Sequence, residues 1–183
     1  HSNKDDSSIK IVVDNWYKTN IADKDYGKYI ADIIYCNDRS IYSGVGYAKQ
    51  PTTYNATYRL ITNKNPILTC AQQNDRFTVD DTSKGNGALT YPVGLITADE
   101  VVFAGIGNSS VDNTNYYLYS GYNYITMTPT SNSTVSSYVL LGNKTLFSNS
   151  ILGVHGIRPV ISLKSSVEFT GNGTMDSPFE VVS

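Results

Sequence analysis

Apolar residues near the start of the chain recur with helical spacing. They stand at i, i+3, i+4, i+7 and i+8: Ile9, Val12, Val13, Trp16 and Tyr17. This spacing predicts a helix over residues 8–21 with one buried face that includes Trp16. Asp5, Asp6 and Ser7 precede the stripe, where negative charges and side-chain oxygens satisfy the free amides of the first turn. A second, weaker helix is expected over residues 25–34, where Gly27 interrupts the pattern.

The middle of the chain, over residues 36–95, is rich in turn chemistry. Segments such as SGVGY, NKNPIL and KGNGALTYP carry the Gly, Pro and Asn residues that favour loops. Apolar residues recur among them, which indicates an ordered, loop-rich half with short strands near residues 58–62 and 77–79.

The segment LITADEVVFAG predicts a short capped helix. Thr97 and Glu100 have the spacing of a capping box, in which each side chain satisfies a free amide at the helix start. Residues 101–104, with Phe103 among them, are expected to be buried. Gly105 is expected to end the helix with a positive φ.

Five tyrosines cluster in NYYLYSGYNYITM, which reads as a hairpin turning at Ser120 and Gly121. In that register Tyr119 lies opposite Tyr122 and Tyr117 opposite Tyr124 on one half-exposed face. The other face, directed to the core, carries Tyr116, Leu118 and Ile125. Two interpretations remain open, since tyrosine serves both binding surfaces and cross-strand packing. The residues of the predicted binding surface are Tyr117, Tyr119, Tyr122, Asn123 and Tyr124.

Three further strands are expected toward the end of the chain. They lie in GIRPVISL, in VEF and in GNGTMDSPFEVV, joined by glycine-rich turns. Pro159 cannot donate to a β-ladder, so we expect it at the start or the edge of its strand.

Composition and charge limit the class of protein. With 183 residues the chain is expected to form one domain over residues 1–183. Charged residues are only 16%, and the net charge is −2, without a run of basic residues. The basic footprint of a nucleic-acid binder is therefore missing, as is a polybasic patch for membrane contact. The Asn-, Ser-, Thr- and Tyr-rich polarity is common on exported proteins, and the polar start of the chain is typical of a mature or excised ectodomain or of a cytoplasmic protein.

The chain has two cysteines, Cys36 and Cys70. Their even number in a chain of exported character favours a disulfide, and two buried thiols are the alternative. With only His1 and His155 in addition, the chain offers no sensible four-ligand zinc site. We expect no metal and no cofactor.

Several short blocks resemble, in the same order, a group of exported surface proteins of Gram-positive gut bacteria: NDRS, TYPVGLITADEV, YLYSG, TMTP, GIRPVISLKS and GNGTMDSPFEV. In those proteins the blocks form an ectodomain behind a prepilin-like helix or another surface anchor. The resemblance implies an α+β fold similar to C-type-lectin-like domains, with two or three short helices, a small antiparallel sheet and a loop-rich half. It also implies an extracellular domain attached to the cell surface in the full-length protein.

The resemblance does not extend to the chemistry of related folds. The Glu-Pro-Asn and Trp-Asn-Asp motifs of calcium-dependent lectins do not occur in this chain, and no cysteine follows Cys70, as the sulfatase-modifying enzymes would need. Ile125 stands where the family pattern carries tryptophan.

The functional expectation is a non-enzymatic extracellular domain for adhesion, ligand display or pilus assembly. Its partners would be a host or bacterial surface protein, a glycan, or other pilus subunits. A secreted cell-surface hydrolase acting on glycan is the alternative, since two carboxylates across a cleft would suffice for it. A purely structural pilus subunit is a third hypothesis.

Overall fold

A computed structural model describes residues 6–46, 52–106, 121–130, 136–140 and 146–182. The described part is mixed α+β, with short helices and small antiparallel sheets. The helical elements are α1 (Ser8–Asn20), α2 (Asn55–Thr57), α3 (Ala98–Phe103), 3-10 turns at Ala22–Lys24, Tyr26–Tyr29 and Gln73–Asp75, and a π-helical turn at Tyr58–Thr62. The strands are β1 (Tyr35–Cys36), β2 (Ile41–Gly44), β3 (Thr52–Tyr54), β4 (Arg76–Phe77), β5 (Gly94–Leu95), β6 (Tyr124–Pro129), β7 (Ser136–Leu140), β8 (Leu146–Ser150), β9 (Pro159–Val160), β10 (Phe169–Thr170) and β11 (Glu180–Val181).

The strands pair in small antiparallel groups. Strands β6, β7 and β8 form a three-stranded sheet, and two-stranded pairs join β1 to β4, β2 to β3, β5 to β9 and β10 to β11. The amide of Met127 donates to the carbonyl of Ile96 at 2.8 Å, which links β6 to the chain that follows β5. The centre of the fold is therefore built from β9, β5 and the β6–β8 sheet.

Two apolar clusters form the core on the described residues. One joins the π-helical turn, α3 and the β6–β8 sheet through Leu60, Ala98, Val101, Ile106, Tyr124 and Leu146. The other joins α1 to the chain around β5 through Val13, Tyr17, Ile30 and Val93. Each cluster holds one helix against strands, as an α+β domain requires.

The predicted N-terminal helix is confirmed, and Ser7 caps it by accepting from the Lys10 amide at 3.1 Å. Val13 and Tyr17 are buried, and Trp16 packs against the same cluster. Val12 is exposed because it lies about 100° around the helix from Val13, beyond the buried stripe.

The predicted helix over residues 25–34 is wrong beyond its first turn. Asp25 has a positive φ of 59°, and the 3-10 turn Tyr26–Tyr29 ends at the extended residue Ile30. The backbone then pairs with a distant segment, because the Ala31 amide donates to the Ser162 carbonyl at 2.8 Å. That tertiary pairing replaces the local hydrogen bonds of a helix.

The strands predicted in the loop-rich half are confirmed in one place only. Arg76–Phe77 forms β4 and pairs with β1. The segment Tyr58–Thr62 is a π-helical turn instead, continuing from α2 and burying Leu60. Leu60 packs in the core cluster with residues of α3 and the β6–β8 sheet.

The capping box is confirmed at α3. Thr97 Oγ1 accepts from the Glu100 amide at 3.1 Å, and Glu100 Oε2 accepts from the Thr97 amide at 2.7 Å. Gly105 follows the helix with a φ of 108°, as expected. The predicted burial of Phe103 and Ala104 is wrong, because α3 is only two turns long and buries Val101 on its inner side.

Cys36 and Cys70 form the predicted disulfide, with a Cα–Cα distance of 5.7 Å. It attaches the chain before Cys70 to β1. A constraint over 34 positions lowers the entropy of the unfolded chain and stabilises the fold by roughly 3–4 kcal/mol.

The three predicted C-terminal strands are present as β9, β10 and β11. Pro159 is the first residue of β9 and lies opposite Leu95, which confirms its expected position at a strand start.

The predicted tyrosine hairpin is partly outside the described residues, which exclude residues 107–120. At Tyr124 the expected register is wrong, because both edges of β6 are occupied there. Leu140 of β7 pairs on one edge, and Gly156 pairs on the other. The Gly156 amide donates to the Asn123 carbonyl at 2.8 Å. A Cβ at position 156 would lie only 3.0 Å from that carbonyl oxygen, so glycine permits this approach.

Removing the cap of α3 should destabilise the domain. Because Thr97 satisfies an amide of a helix too short to stand alone, Thr97→Ala is expected to lower the free energy of unfolding by about 1 kcal/mol in urea titration. Thr97→Ser keeps the hydroxyl and serves as the control. Coincident unfolding curves for Thr97→Ala and the parent would show that the cap contributes nothing.

Candidate functional site

A groove of about 820 Å³ lies between the chain before β1, the chain before Cys70, and α3. Its volume is within the range of pockets that hold small ligands or peptide side chains. The apolar side chains that line it include Ile33, Ile34, Ile67, Leu68, Ile96 and Phe103. The groove is therefore mainly apolar.

Two large apolar side chains on the groove are unusually exposed. Leu68 is 63% exposed and Phe103 is 67% exposed. Among the described residues, the peptide groups of Leu68 and Thr69 have no hydrogen-bond partner. This side of the groove thus offers both apolar contact and free backbone donors and acceptors to a partner.

A buried ion pair forms part of the groove wall. Arg59 projects from the π-helical turn and contacts Asp99, which lies in the first turn of α3. Arg59 Nε donates to Asp99 Oδ1 at 2.7 Å, and Arg59 Nη2 donates to Asp99 Oδ2 at 2.6 Å. The side chains are 12% and 5% exposed. This two-point contact fixes the angle between the two elements, since a guanidinium and a carboxylate are both planar.

The same arginine reaches a second carboxylate. Arg59 Nη1 donates to Asp38 Oδ2 at 2.6 Å, and Asp38 Oδ1 accepts from the Ser40 amide at 3.0 Å. Asp99 Oδ1 also accepts from the Ile67 amide at 3.0 Å. One guanidinium therefore joins the loop after β1, α3 and the chain that carries Leu68.

The environment of Arg59 keeps it charged. Burial by itself would lower the pKa of Arg59, but the hydrogen bonds and negative charges of Asp99 and Asp38 outweigh burial and raise that pKa overall. The guanidinium of Arg59 therefore stays protonated.

A second buried ion pair lies behind the disulfide. The Arg39 amide and Arg39 Nε donate to the two carboxylate oxygens of Asp75, each at 2.8 Å. Arg76 Nε donates to the Cys70 carbonyl at 2.7 Å. These bonds, with the disulfide, hold the irregular chain before Cys70 against β1 and β4.

The structure separates the residues of the predicted binding surface. Tyr122 is 80% exposed and Asn123 is exposed, whereas Tyr124 is 2% exposed. The expectation that Tyr124 is half exposed is wrong, because its ring lies in the core with the Arg158 guanidinium 4.6 Å from the ring centroid. Tyr117 and Tyr119 lie outside the described residues.

Another aromatic pair occurs on the described surface. The rings of Tyr42 in β2 and Tyr58 are stacked with centroids 3.8 Å apart, and Tyr42 is exposed. A hydrogen bond with Tyr58 raises the pKa of the Tyr42 hydroxyl. No sequence pattern predicted this contact, because Tyr58 lies in the π-helical turn that follows β3 and α2 and reaches Tyr42 only once β2 and β3 have paired.

Within the described residues, the carboxylates on the groove take part in hydrogen bonds. Each oxygen of Asp38 and Asp99 accepts a hydrogen bond from Arg59 or from a backbone amide, and Glu100 Oε2 accepts from Thr97. His155 Nε2 lies 2.8 Å from the Ser150 carbonyl oxygen, and both cysteines are in the disulfide. No group of three metal-ligating side chains occurs in this part of the chain.

Comparison with protein-family models, with curated proteins and with solved structures finds no match to this chain. None of the helices in the described ranges has the length and hydrophobicity needed to cross a bilayer. The groove must therefore be interpreted from its own chemistry.

The groove was not predicted from the sequence, although two of its polar residues lie in blocks that carry the family resemblance. Asp38 belongs to NDRS and Asp99 to TADEV. Both blocks contain further polar residues, so the sequence did not distinguish these aspartates, or Arg59, from exposed charged residues.

Removing Arg59 from its contacts with Asp38 and Asp99 should destabilise the domain. Arg59→Met would leave two carboxylates buried without their cation, and we expect the free energy of unfolding to fall by about 3–5 kcal/mol in chemical denaturation. The control is Lys18→Met, which removes an exposed ion pair with Asp23 and should cost under about 1 kcal/mol. Equal effects of the two substitutions would contradict a structural role for Arg59.

Proposed function

We propose that this chain is a non-enzymatic binding domain of a bacterial surface protein, acting in adhesion, ligand display or pilus assembly. The proposal includes a C-type-lectin-like arrangement of its α+β fold. Support comes from the capped helix before a loop-rich half, the small antiparallel sheets, and the blocks that resemble exported ectodomains.

The groove is the observation that carries the proposal. It combines apolar walls with exposed Leu68 and Phe103, and exposed apolar clusters on a folded domain mark sites of interaction. The walls are held by the Arg59 network and the disulfide, so the site is formed before a partner arrives. A preformed site loses less conformational entropy on binding.

The chemistry of the groove favours a protein partner over a glycan. Its lining is mainly apolar, and the free peptide groups of Leu68 and Thr69 can pair with an extended segment. Such a segment would come from a host or bacterial surface protein or from another pilus subunit. Tyr122 and Asn123, both exposed, remain predicted contact residues of a second surface.

The glycan hydrolase is the weaker hypothesis. A glycosidase needs one carboxyl group to donate a proton and a second to act as base or nucleophile. In this groove the oxygens of Asp38 and Asp99 are held by Arg59 and by backbone amides, which is the environment of structural carboxylates. The disulfide likewise leaves Cys36 and Cys70 without a thiolate for nucleophilic catalysis.

Extracellular attachment is also part of the proposal. The disulfide between Cys36 and Cys70 is of the kind that persists in oxidising compartments.

Charged substitutions in the groove should abolish adhesion without unfolding the domain. Beads coated with Leu68→Asp or Phe103→Asp protein should adhere to Gram-positive cells or to cultured epithelial cells about tenfold less than beads with the parent, because each variant places a charge in an apolar contact. Val154→Asp is the matched control, since Val154 is fully exposed and lies outside the groove lining.

Circular dichroism would verify that all three variants fold. Adhesion of both groove variants at the parent's level would reject the groove as the site. Release of reducing sugar from cell-wall glycan by the parent protein would instead support the hydrolase.

A further inference from the structure

We propose that the β10–β11 hairpin receives, as a third strand, an extended segment of a partner protein in which basic and apolar residues alternate. This surface is distinct from the groove described above, because none of the groove's lining residues lies in the hairpin. The inference therefore stands or falls independently of binding at the groove.

One face of the hairpin is apolar and uncovered. Phe169 lies directly opposite Val181, and the rings of Phe169 and Phe179 meet edge to face with centroids 5.2 Å apart. These three side chains are 51%, 43% and 62% exposed, in the order Phe169, Val181, Phe179. Two-stranded hairpins are only marginally stable in water, and a third strand is the common way to stabilise them.

The other face carries two carboxylates, Glu168 opposite Val182 and Glu180 opposite Thr170. Glu168 and Glu180 alternate with the apolar residues along their strands, and side chains of alternate residues point to opposite faces. Residues 165–183 also contain Asp176 and no lysine or arginine, so this segment carries a charge of −3 in a chain whose net charge is −2. Within the described residues none of the three carboxylates forms an ion pair.

The outer edges of the hairpin are open to pairing. The Val182 amide donates to the Glu168 carbonyl at 2.9 Å, which sets the register. In that register the peptide groups of Phe169 point away from β11, and those of Phe179 and Val181 point away from β10. On the described residues these outward groups have no partner. Unlike many natural strand edges, neither edge carries a lysine that would disfavour pairing.

The two faces together define the partner. An added strand that alternates apolar and basic residues would extend the row of Phe169 and Val181 on one face. On the other face it would place ammonium or guanidinium groups beside Glu168 and Glu180. Main-chain hydrogen bonds would supply affinity, and the matched faces would supply register.

Charge complementarity argues against a second copy as the occupant. Pairing two identical hairpins edge to edge would set Glu168 and Glu180 among the same acidic residues of the other copy, and like charges on adjacent strands repel. An anionic lipid surface or a nucleic acid would be repelled by the same three carboxylates. A basic segment is the occupant that the charge of this hairpin favours.

The probe for this proposal is a fluorescent nine-residue peptide of alternating lysine and valine, measured by fluorescence polarisation at low salt. A peptide of alternating glutamate and valine is its counterpart. We expect the basic peptide to bind at least about tenfold more tightly than the acidic one. Replacing the central valine by proline, which removes a backbone donor, should weaken binding about fivefold or more.

Variants of the protein locate the site. Glu168→Lys/Glu180→Lys should weaken binding of the basic peptide about tenfold and strengthen binding of the acidic one, which a merely misfolded hairpin would not do. Phe179→Ser should weaken binding of the basic peptide to the otherwise native protein. Added to Glu168→Lys/Glu180→Lys, it should likewise weaken binding of the acidic peptide. The control is Asp23→Lys/Asp80→Lys, an equal charge change at two exposed positions that do not line a pocket with the hairpin.

Each contrary outcome is decisive. Equal loss of binding in the control and in the hairpin variant would mean that only net charge matters, and the proposal would be wrong. It would be wrong as well if the proline peptide bound as tightly as its parent. Concentration-dependent dimerisation of the native protein that Phe179→Ser abolishes would assign the hairpin to a second copy instead.

Discussion

The contact of Arg59 with Asp99 and Asp38 organises the candidate site. These three side chains come from a π-helical turn, from the first turn of α3 and from the loop after β1, and all are largely buried. A charged group removed from water must find an opposite charge, so each element can pack in only one orientation. Asp99 extends this constraint to the chain that carries Leu68, by accepting from the Ile67 amide. The groove is a consequence of that arrangement.

The disulfide complements the ionic network. The chain between the π-helical turn and Cys70 has little regular secondary structure, and such chain is expected to be mobile unless it is attached at several points. Cys36 attaches one end covalently, while Asp99 and Arg59 attach the other through the amides of Ile67 and Asn65. An irregular wall held at both ends can present exposed side chains in fixed positions, which is what a preformed binding surface needs.

Local sequence signals predicted local structure and little else. Ser7 and Thr97 act within one helical turn, so the helices they cap were predicted with nearly correct limits. The predictions at Ile30 and Tyr124 were wrong because distant partners decide the backbone conformation there. Ile30 forms a β-bridge with Leu163, and Tyr124 forms one with Gly156. Alternating polarity could not show that both edges of β6 are occupied. The groove was missed for the same reason, since Arg59 meets Asp99 40 positions later.

Charge is used sparingly in this chain, and in two opposite ways. Inside the domain, Asp38, Asp75 and Asp99 are neutralised by arginines and fix the positions of loops. On the β10–β11 hairpin, Glu168 and Glu180 form no ion pair in the described structure, and the apolar face behind them is uncovered. A paired carboxylate contributes to the architecture of one molecule. An unpaired one beside open strand edges is available to a second molecule, and the partner that we propose for the hairpin makes use of it.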